Sequence, residues 1–319
     1  ILDWLILIDM NIVEFLNQLN FTTLFLIFIV SKLFIETYLK TRNIKSINEN
    51  KEKIPERFTD VVTDEEYKKS INYNIERIRF SILTSVFGVG VLLFFTIGGI
   101  LNNLTVFVQA ITASNILGAI LLGLLLIVIG EIIEIPLAVY STFYIEEKYG
   151  FNKTTTKTFV TDLFKNLLIQ SIFSSILYAI VISIIENLGN NWWIFAFVAV
   201  FLLQLVIFYI YPVLILPLFN KFEPLEDEKF KEPIERLLKK IKFKAKGLFV
   251  MDGSLRSSHG NAFFTGFGSN KRIVFYDTLL ETITPDEMES ILGHELGHYK
   301  LGHIKKTLIL SLIHISEPT

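Results

Sequence analysis

The chain contains no cysteine, and this absence excludes disulfides, thiolate catalysis and every cysteine-based zinc site. It also lacks a charge imbalance: the formal net charge is −2, which gives no electrostatic reason to expect nucleic acid as a partner. No internal repeat or low-complexity tract is present, and only five histidines occur among 319 residues. The ligands of any metal site must therefore come from the carboxylates and the five histidines.

Long apolar segments are what the chain has in abundance, with 51% hydrophobic residues and a mean hydropathy of +0.50. This composition is too apolar for an ordinary soluble domain and indicates a polytopic membrane protein. The segments long enough to cross about 30 Å of hydrocarbon are Ile12–Tyr38, Phe80–Leu101, Ile116–Tyr140, Leu167–Ile185 and Trp192–Leu216. We therefore predict a transmembrane region over residues 1–216, a polar domain over 217–303 and the start of a sixth span over 304–319.

Neither end of the chain looks natural. It begins at Ile1 rather than Met, and no charged segment precedes an apolar core, so no signal peptide is expected. The last residues, Ser311–Thr319, interrupt an apolar run and resemble translated read-through of a sequencing adapter. We therefore expect a fragment with an artefactual tail, and His314 in that tail is not counted among the candidate metal ligands.

The distribution of lysine and arginine among the loops predicts the orientation. Leu39–Arg79 and Phe143–Lys165 are rich in these residues, whereas Asn102–Asn115 and Asn187–Asn191 contain none. Because basic loops stay on the cytosolic side, the two basic loops are predicted in the cytosol and the two uncharged loops outside. Counting spans forward also places the polar block Phe219–His303 on the cytosolic side.

That polar block is predicted to be a small α+β domain. Its apolar pattern favours a helix over Glu228–Ile241 and strands over Gly247–Met251, Asn261–Gly268 and Arg272–Tyr276. Thr284-Pro285-Asp286-Glu287 is typical of a helix start, with Thr at the N-cap and Glu three residues later.

The helix that follows contains the most informative motif, His294-Glu295-Leu296-Gly297-His298. Because residues four apart lie one above the other on a helix, both imidazoles can bind one Zn²⁺. Glu295 then lies beside the metal, where its carboxylate can take a proton from an activated water and deliver it to a leaving amine. The motif predicts one zinc ion per chain, His294 and His298 as ligands and Glu295 as the catalytic base. The alternative, a helix with two surface histidines, is disfavoured because histidine is scarce.

A third zinc ligand is missing from the pattern. His303 follows His298 by five residues, which on a continuous helix turns it well away from the two-histidine face. Glu287 and Glu289 are expected to serve helix capping or solvation. We therefore expect the third ligand beyond residue 319.

Two further features leave alternatives open. Glu131 and Glu134 lie inside the third span, and they either line a water-filled chamber or pair with a basic loop residue near the interface. The strand Asn261–Gly268 is either an edge strand to which an extended substrate adds or a plain buried strand, and either would account for Phe263 and Phe264.

Separated motifs occur in a fixed order along most of the chain: Glu146–Lys153 with Thr155 and Asp162, Pro212 with Leu216–Leu225, Asp252–Ala262, Lys271–Leu280 and His294–His303. In these motifs the chain resembles the Ste24-type CAAX prenyl proteases, integral-membrane zinc metalloendopeptidases of the M48 group. The resemblance implies a mainly α polytopic membrane protein, in which a barrel of seven membrane helices encloses a hydrophilic chamber. A small cytosolic α+β zinc-metalloprotease domain would cap that chamber.

The same resemblance implies an activity and its residues. The activity is removal of the last three residues of C-terminally prenylated CAAX peptides, at least in eukaryotic members. His294 and His298 would be zinc ligands and Glu295 the base, whereas Asn261 and Ala262 would belong to the substrate-pairing strand. Phe263, the next residue of that strand, is also predicted to bind substrate. The family's third ligand is a glutamate well downstream.

The expected partners are a peptide or protein substrate, with or without a prenyl group, and the lipid bilayer of a bacterial inner membrane or a eukaryotic ER-type membrane. Two alternatives remain: a quality-control protease of the HtpX kind, and a non-catalytic membrane scaffold or transporter. The number of spans and the Phe151-Asn152-Lys153 motif favour the Ste24 type over the first. The second would leave the histidine motif unexplained.

Overall fold

The computed structural model describes residues 20–52, 54–241, 243, 246–265, 272–303 and 306. The chain divides into two compact units, Ile1–Ile111 and Thr112–Thr319, and each is described by itself.

In the described residues of the first unit, the α-helices are α1 (Phe21–Asn50), α2 (Asp64–Thr96) and α3 (Ile100–Ile111). A complete capping box begins α2, because Glu66 N–H donates to Thr63 Oγ1 and Thr63 N–H donates to the Glu66 carboxylate. Between α2 and α3 the chain turns at Gly99, whose φ of 78° suits glycine. Residues 102–115, predicted as an uncharged loop, are thus largely helical.

The second unit contributes the remaining membrane-length helices. They are α4 (Asn115–Tyr140), α5 (Thr156–Asn187) and α6 (Trp192–Ile210). α4 continues as the π-helical turn Ser141–Glu146. α6 continues through the π-helical turn Tyr211–Ile215 into the short helix α7 (Leu216–Phe219). Pro212 lies in the second of these turns, where its missing N–H removes a regular helical hydrogen bond.

Among the described residues, five helices are long and apolar enough to cross a membrane. They are Phe21–Asn50, Asp64–Thr96, Asn115–Glu146, Thr156–Asn187 and Gly189–Phe219. The apolar segments of these helices are almost entirely exposed on the protein surface, as expected for side chains that face lipid. The prediction of a mainly helical chain with these long apolar helices is confirmed, although the first predicted span begins outside the described residues.

The polar part of the second unit contains a four-stranded sheet in the order β1-β2-β4-β3. The strands are β1 (Phe222–Pro224), β2 (Gly247–Met251), β3 (Ala262–Thr265) and β4 (Arg272–Tyr276). β2 and β4 run parallel, whereas β1 and β3 are antiparallel to their neighbours. Three strands lie where the sequence predicted them, β1 was not predicted, and the predicted turn at residues 269–271 lies outside the described residues.

Among the residues described in this region, the α-helices are α8 (Glu228–Lys240), α9 (Asp277–Thr282) and α10 (Pro285–Lys300). Their apolar faces pack with the sheet into one core, whose buried members are Leu225, Phe230, Ile234, Leu238, Ile273, Phe275, Leu279, Met288, Leu292 and Leu296. α10 contains the histidine motif, and one face of this helix packs in the core.

Candidate metal centre and substrate strand

The sequence around α10 explains why this helix begins and sits where it does. Thr284 N–H donates to the Glu287 carboxylate at 2.8 Å, and Glu287 N–H donates to Thr284 Oγ1 at 3.4 Å. These hydrogen bonds with Thr284 hold the pKa of the Glu287 carboxyl below its ordinary value. The predicted capping role of Glu287 is therefore confirmed. Met288, Leu292 and Leu296 recur every four residues and bury one face of the helix in the core.

His294 and His298 project from the exposed part of the same helix. Their Nε2 atoms lie 3.0 Å apart, and the two rings meet at an interplanar angle of 68°. Two nitrogens bound to one tetrahedral zinc at their usual bond lengths are about 3.3 Å apart. The imidazole pair therefore fits a zinc ion with only a small adjustment, and both donors are of the type that zinc prefers.

His303 lies nearer to the histidine motif than is expected for a continuous helix. The helix ends at Lys300, and Gly302 adopts a left-handed φ of 66°, so the chain is not a continuous helix here. As a result, His303 Nδ1 lies 2.9 Å from His298 Nδ1. This contact is on the side of the His298 ring opposite Nε2, so it leaves Nε2 facing His294.

Glu295 is half-buried and lies beside His294 on the helix. Within the described part of the chain, no three histidine, aspartate or glutamate side chains are grouped closely enough to hold a metal ion. The structure thus brings together the two predicted histidine ligands and the predicted base, and a third ligand stays a prediction.

β3 is the predicted substrate strand, and it lies at the end of the described sheet with β4 as its only strand neighbour. Tyr276 N–H donates to Asn261 C=O at 2.9 Å, which identifies Asn261 and Tyr276 as a hydrogen-bonded pair at the start of the ladder. In an antiparallel ladder such pairs alternate, so the main-chain groups of Ala262 and Phe264 are directed away from β4. The strand therefore presents an edge of main-chain donors and acceptors.

The side chains at this edge are ordered by one another. Asn261 Oδ1 accepts a hydrogen bond from Ala262 N–H at 2.8 Å, and the Phe263 ring packs edge-on against the Tyr276 ring. Burial raises the pKa of the Tyr276 phenol, which also hydrogen-bonds the Asn261 side chain. The Tyr276 hydroxyl therefore stays protonated at neutral pH.

Inside the membrane helices, Glu131 has a neutral partner. Gln170 Nε2 on α5 donates to Glu131 Oε1 on α4 at 3.0 Å. Hydrogen bonding to a polar neighbour lowers the cost of placing a carboxyl group at membrane depth. This contact differs from the pairing with a basic loop residue that the sequence suggested as one alternative.

Sequence reasoning missed the contacts that join the loop before β3 to the membrane helices. Arg256 pairs with Asp162 at 2.7 Å although 94 residues separate them. His259 stacks on Phe151 and lies 3.5 Å from the Glu146 carboxylate. Each of these residues stands in a motif singled out from the sequence, but no periodicity or spacing indicates which residues of two distant motifs meet.

Comparison with protein families gives two adjoining matches. The family described as CAAX prenyl protease N-terminal, five membrane helices, matches residues 43–221. Peptidase family M48 matches residues 224–317, which include the histidine motif.

Individual relatives agree with the family matches. CAAX prenyl protease 1 of Saccharomyces cerevisiae is 35% identical over 299 residues, which cover 90% of this chain and 65% of that protein. Probable CAAX prenyl protease 1 of Schizosaccharomyces pombe is 37% identical over 305 residues, covering 90% of this chain and 64% of that protein. The chain thus spans slightly less than two thirds of the length of these two relatives.

A solved structure is similar as well. The crystal structure of S. mikatae Ste24p superposes with a TM-score of 0.83 at 33% identity and covers 90% of this chain and 68% of that one. Together with the five long apolar helices, this similarity confirms the prediction of a polytopic membrane protein with a small M48 domain.

Proposed function

The chain belongs to the CAAX prenyl protease family of M48 peptidases, and from this premise we propose that it is a membrane-embedded zinc endopeptidase. Its substrates would be the C-terminal CAAX tripeptides of prenylated proteins or related membrane-associated peptides. The observation that supports this proposal most directly is the 3.0 Å approach of the His294 and His298 Nε2 atoms on a core-packed helix. A metal cofactor is implied by the family, and the donor chemistry of this pair favours one zinc ion.

Different residues of the chain would bind the metal, orient a ligand and transfer protons. When bound, zinc would act as a Lewis acid on the scissile carbonyl and on the attacking water. His294 and His298 would hold the ion, and His303 would keep the His298 ring oriented through the Nδ1 contact. The Glu295 carboxylate would take the proton of the attacking water and pass it to the leaving amine. A third ligand is proposed in the part of the relatives' length that the chain does not span.

The β3 edge would bind the substrate main chain. Ala262 and Phe264 direct their N–H and C=O groups away from β4, so an extended peptide can pair with β3 as an additional strand. In that pairing, Ala262 N–H would exchange its hydrogen bond to Asn261 Oδ1 for one to the peptide. Phe263 would hold the strand through its ring contact with Tyr276.

We also propose that the peptidase region faces the cytosol. The support is the concentration of lysine and arginine in the loops on that side of the predicted topology. The match of residues 43–221 to a five-helix CAAX protease domain favours the Ste24 type over the HtpX kind of protease.

The proposal is tested with two peptides that differ only in a farnesyl group on the CAAX cysteine. The protein expressed from its complete reading frame, purified and placed in lipid vesicles, is expected to release the C-terminal tripeptide from the farnesylated peptide. The unprenylated twin is expected to be cleaved at least about tenfold less efficiently, since the lipid contributes binding energy remote from the scissile bond. Equal cleavage of both peptides would contradict prenyl specificity, and cleavage of neither would contradict the proposed activity.

A further inference from the structure

The loop that leads into β3, residues 252–261, contacts several segments of the second unit and is called the junction loop. Asp252 Oδ1 accepts hydrogen bonds from Lys221 N–H at 2.8 Å and from Asn220 Nδ2 at 3.1 Å. Further along, Ser254 N–H donates to the Asp277 carboxylate at 2.9 Å, and Ser258 N–H donates to Phe151 C=O at 3.1 Å. The substrate strand thus begins directly after a segment whose main chain is held on several sides.

Arg256 makes the most extensive contacts in the junction loop. Its Nε donates to Asp162 Oδ2 at 2.7 Å and its Nη2 to Asp162 Oδ1 at 2.9 Å, so the pair is bidentate. The same Nη2 also donates to Phe219 C=O at 2.8 Å. Asp162 lies near the start of α5 and Phe219 is the last residue of α7. One guanidinium therefore joins the ends of two membrane-length helices.

The main chain of Arg256 is held as firmly as its side chain. Its carbonyl accepts hydrogen bonds from Lys153 N–H at 3.1 Å and from Thr154 Oγ1 at 3.0 Å. The next residue, Ser257, forms an isolated antiparallel bridge with Asn152. The segment between α4 and α5 therefore fixes the backbone at the point where the guanidinium fixes the side chain.

The Asp162–Arg256 pair is more buried than an ordinary surface ion pair. Only 18% of the Asp162 side chain and 26% of the Arg256 side chain are exposed. Lower exposure weakens solvent screening, and the planar guanidinium can serve a carboxylate and a carbonyl at once. A lysine has a single ammonium group and cannot reproduce that fork.

We propose that Arg256, together with Asp162 and the Phe219 carbonyl, is a positioning residue for the substrate strand. Because β4 is the only described strand beside β3, the placement of β3 relative to α5 and α7 depends on the junction loop. The Arg256 contacts fix that placement, so that a peptide paired with β3 lies correctly relative to both the membrane helices and α10. This inference rests on the proposed function of β3.

The test uses Asp162→Asn and Arg256→Lys in the protein expressed from its complete reading frame. Asp162→Asn removes the anionic partner, and Arg256→Lys keeps the positive charge but removes the fork. Both variants are expected to raise KM for the farnesylated peptide by roughly tenfold, because substrate binding at β3 weakens while the catalytic helix is unaltered. Hydrogen exchange at the amide of Phe263, the β3 residue whose main chain pairs with β4, is expected to accelerate in both, and zinc affinity to stay within about twofold of the parent. The double variant should add little, because both changes remove the same interaction.

The matched control is Glu228→Gln, which removes the exposed Lys231–Glu228 pair on α8, and it should alter neither KM nor exchange in β3. Unchanged KM and unchanged exchange in both test variants would overturn the inference. A fall in zinc affinity as large as the fall in kcat/KM would also overturn it, because the effect would then spread through the whole fold. If the parent protein cleaves no peptide, the proposed function fails, and the exchange comparison still decides whether the pair fixes β3.

Discussion

Replacing Glu295 with glutamine lowers kcat for peptide cleavage by about 10²- to 10⁴-fold in this account, with bound zinc unchanged. Glutamine has nearly the same shape as glutamate, but its amide cannot accept the proton of the attacking water. Zinc should be retained because the ion is assigned to His294 and His298, whose Nε2 atoms face each other. The measurement is kcat on the farnesylated peptide together with the zinc content of the same purified sample.

The control for this prediction is Glu289→Gln on the same helix, which should keep the parent kcat because Glu289 is six residues away from the proposed base. Cleavage by Glu295→Gln at the parent rate would rule out Glu295 as the base. Loss of zinc from Glu295→Gln would show that this carboxylate binds the metal.

Replacing His298 with alanine is expected to abolish zinc binding, whereas His303→Phe should weaken it by about 10- to 100-fold. His298 presents Nε2 towards His294 and Nδ1 towards His303. In the tautomer in which His298 Nδ1 donates to His303, the His298 ring keeps an Nε2 lone pair for the metal. Phenylalanine preserves the ring packing of His303 but removes that acceptor. Competition with a zinc-binding dye measures both affinities without any substrate.

Comparing the zinc affinities of these two variants distinguishes a metal ligand from a residue that orients one. If His303→Phe loses as much zinc affinity as His298→Ala, His303 is itself a ligand. If His298→Ala binds zinc like the parent, the metal lies elsewhere and the histidine motif is not the metal centre.

Local patterns predicted much of the fold because the residues that determine these elements are neighbours in sequence. The apolar period of α8 and the Thr284–Glu287 capping box of α10 are examples that the structure reproduces. The start of α2 could have been predicted in the same way, since Thr63 and Glu66 form a capping box ahead of the apolar run that begins at Phe80. β1 gave no such signal, because it is three residues long and ends in Pro224.

The candidate site was predictable where one helix determines it and not where tertiary contacts do. His294, Glu295 and His298 share a helix, so their spacing alone predicted their arrangement. The contact of His303 depends on the left-handed Gly302, which ends the helix, and was therefore not predicted. The Asp162–Arg256 pair joins two motifs that were recognised separately, and only the folded chain shows that they meet.

We propose that the helix bearing His294 and His298 holds the zinc ion on which peptide cleavage depends. The most direct measurement is the rate of tripeptide release from the farnesylated peptide before chelation, after chelation and after addition of one equivalent of zinc. We expect loss of cleavage on chelation and recovery at close to one zinc per chain, with no recovery in His298→Ala. Cleavage that continues at the starting rate in the chelated, zinc-free protein would contradict it.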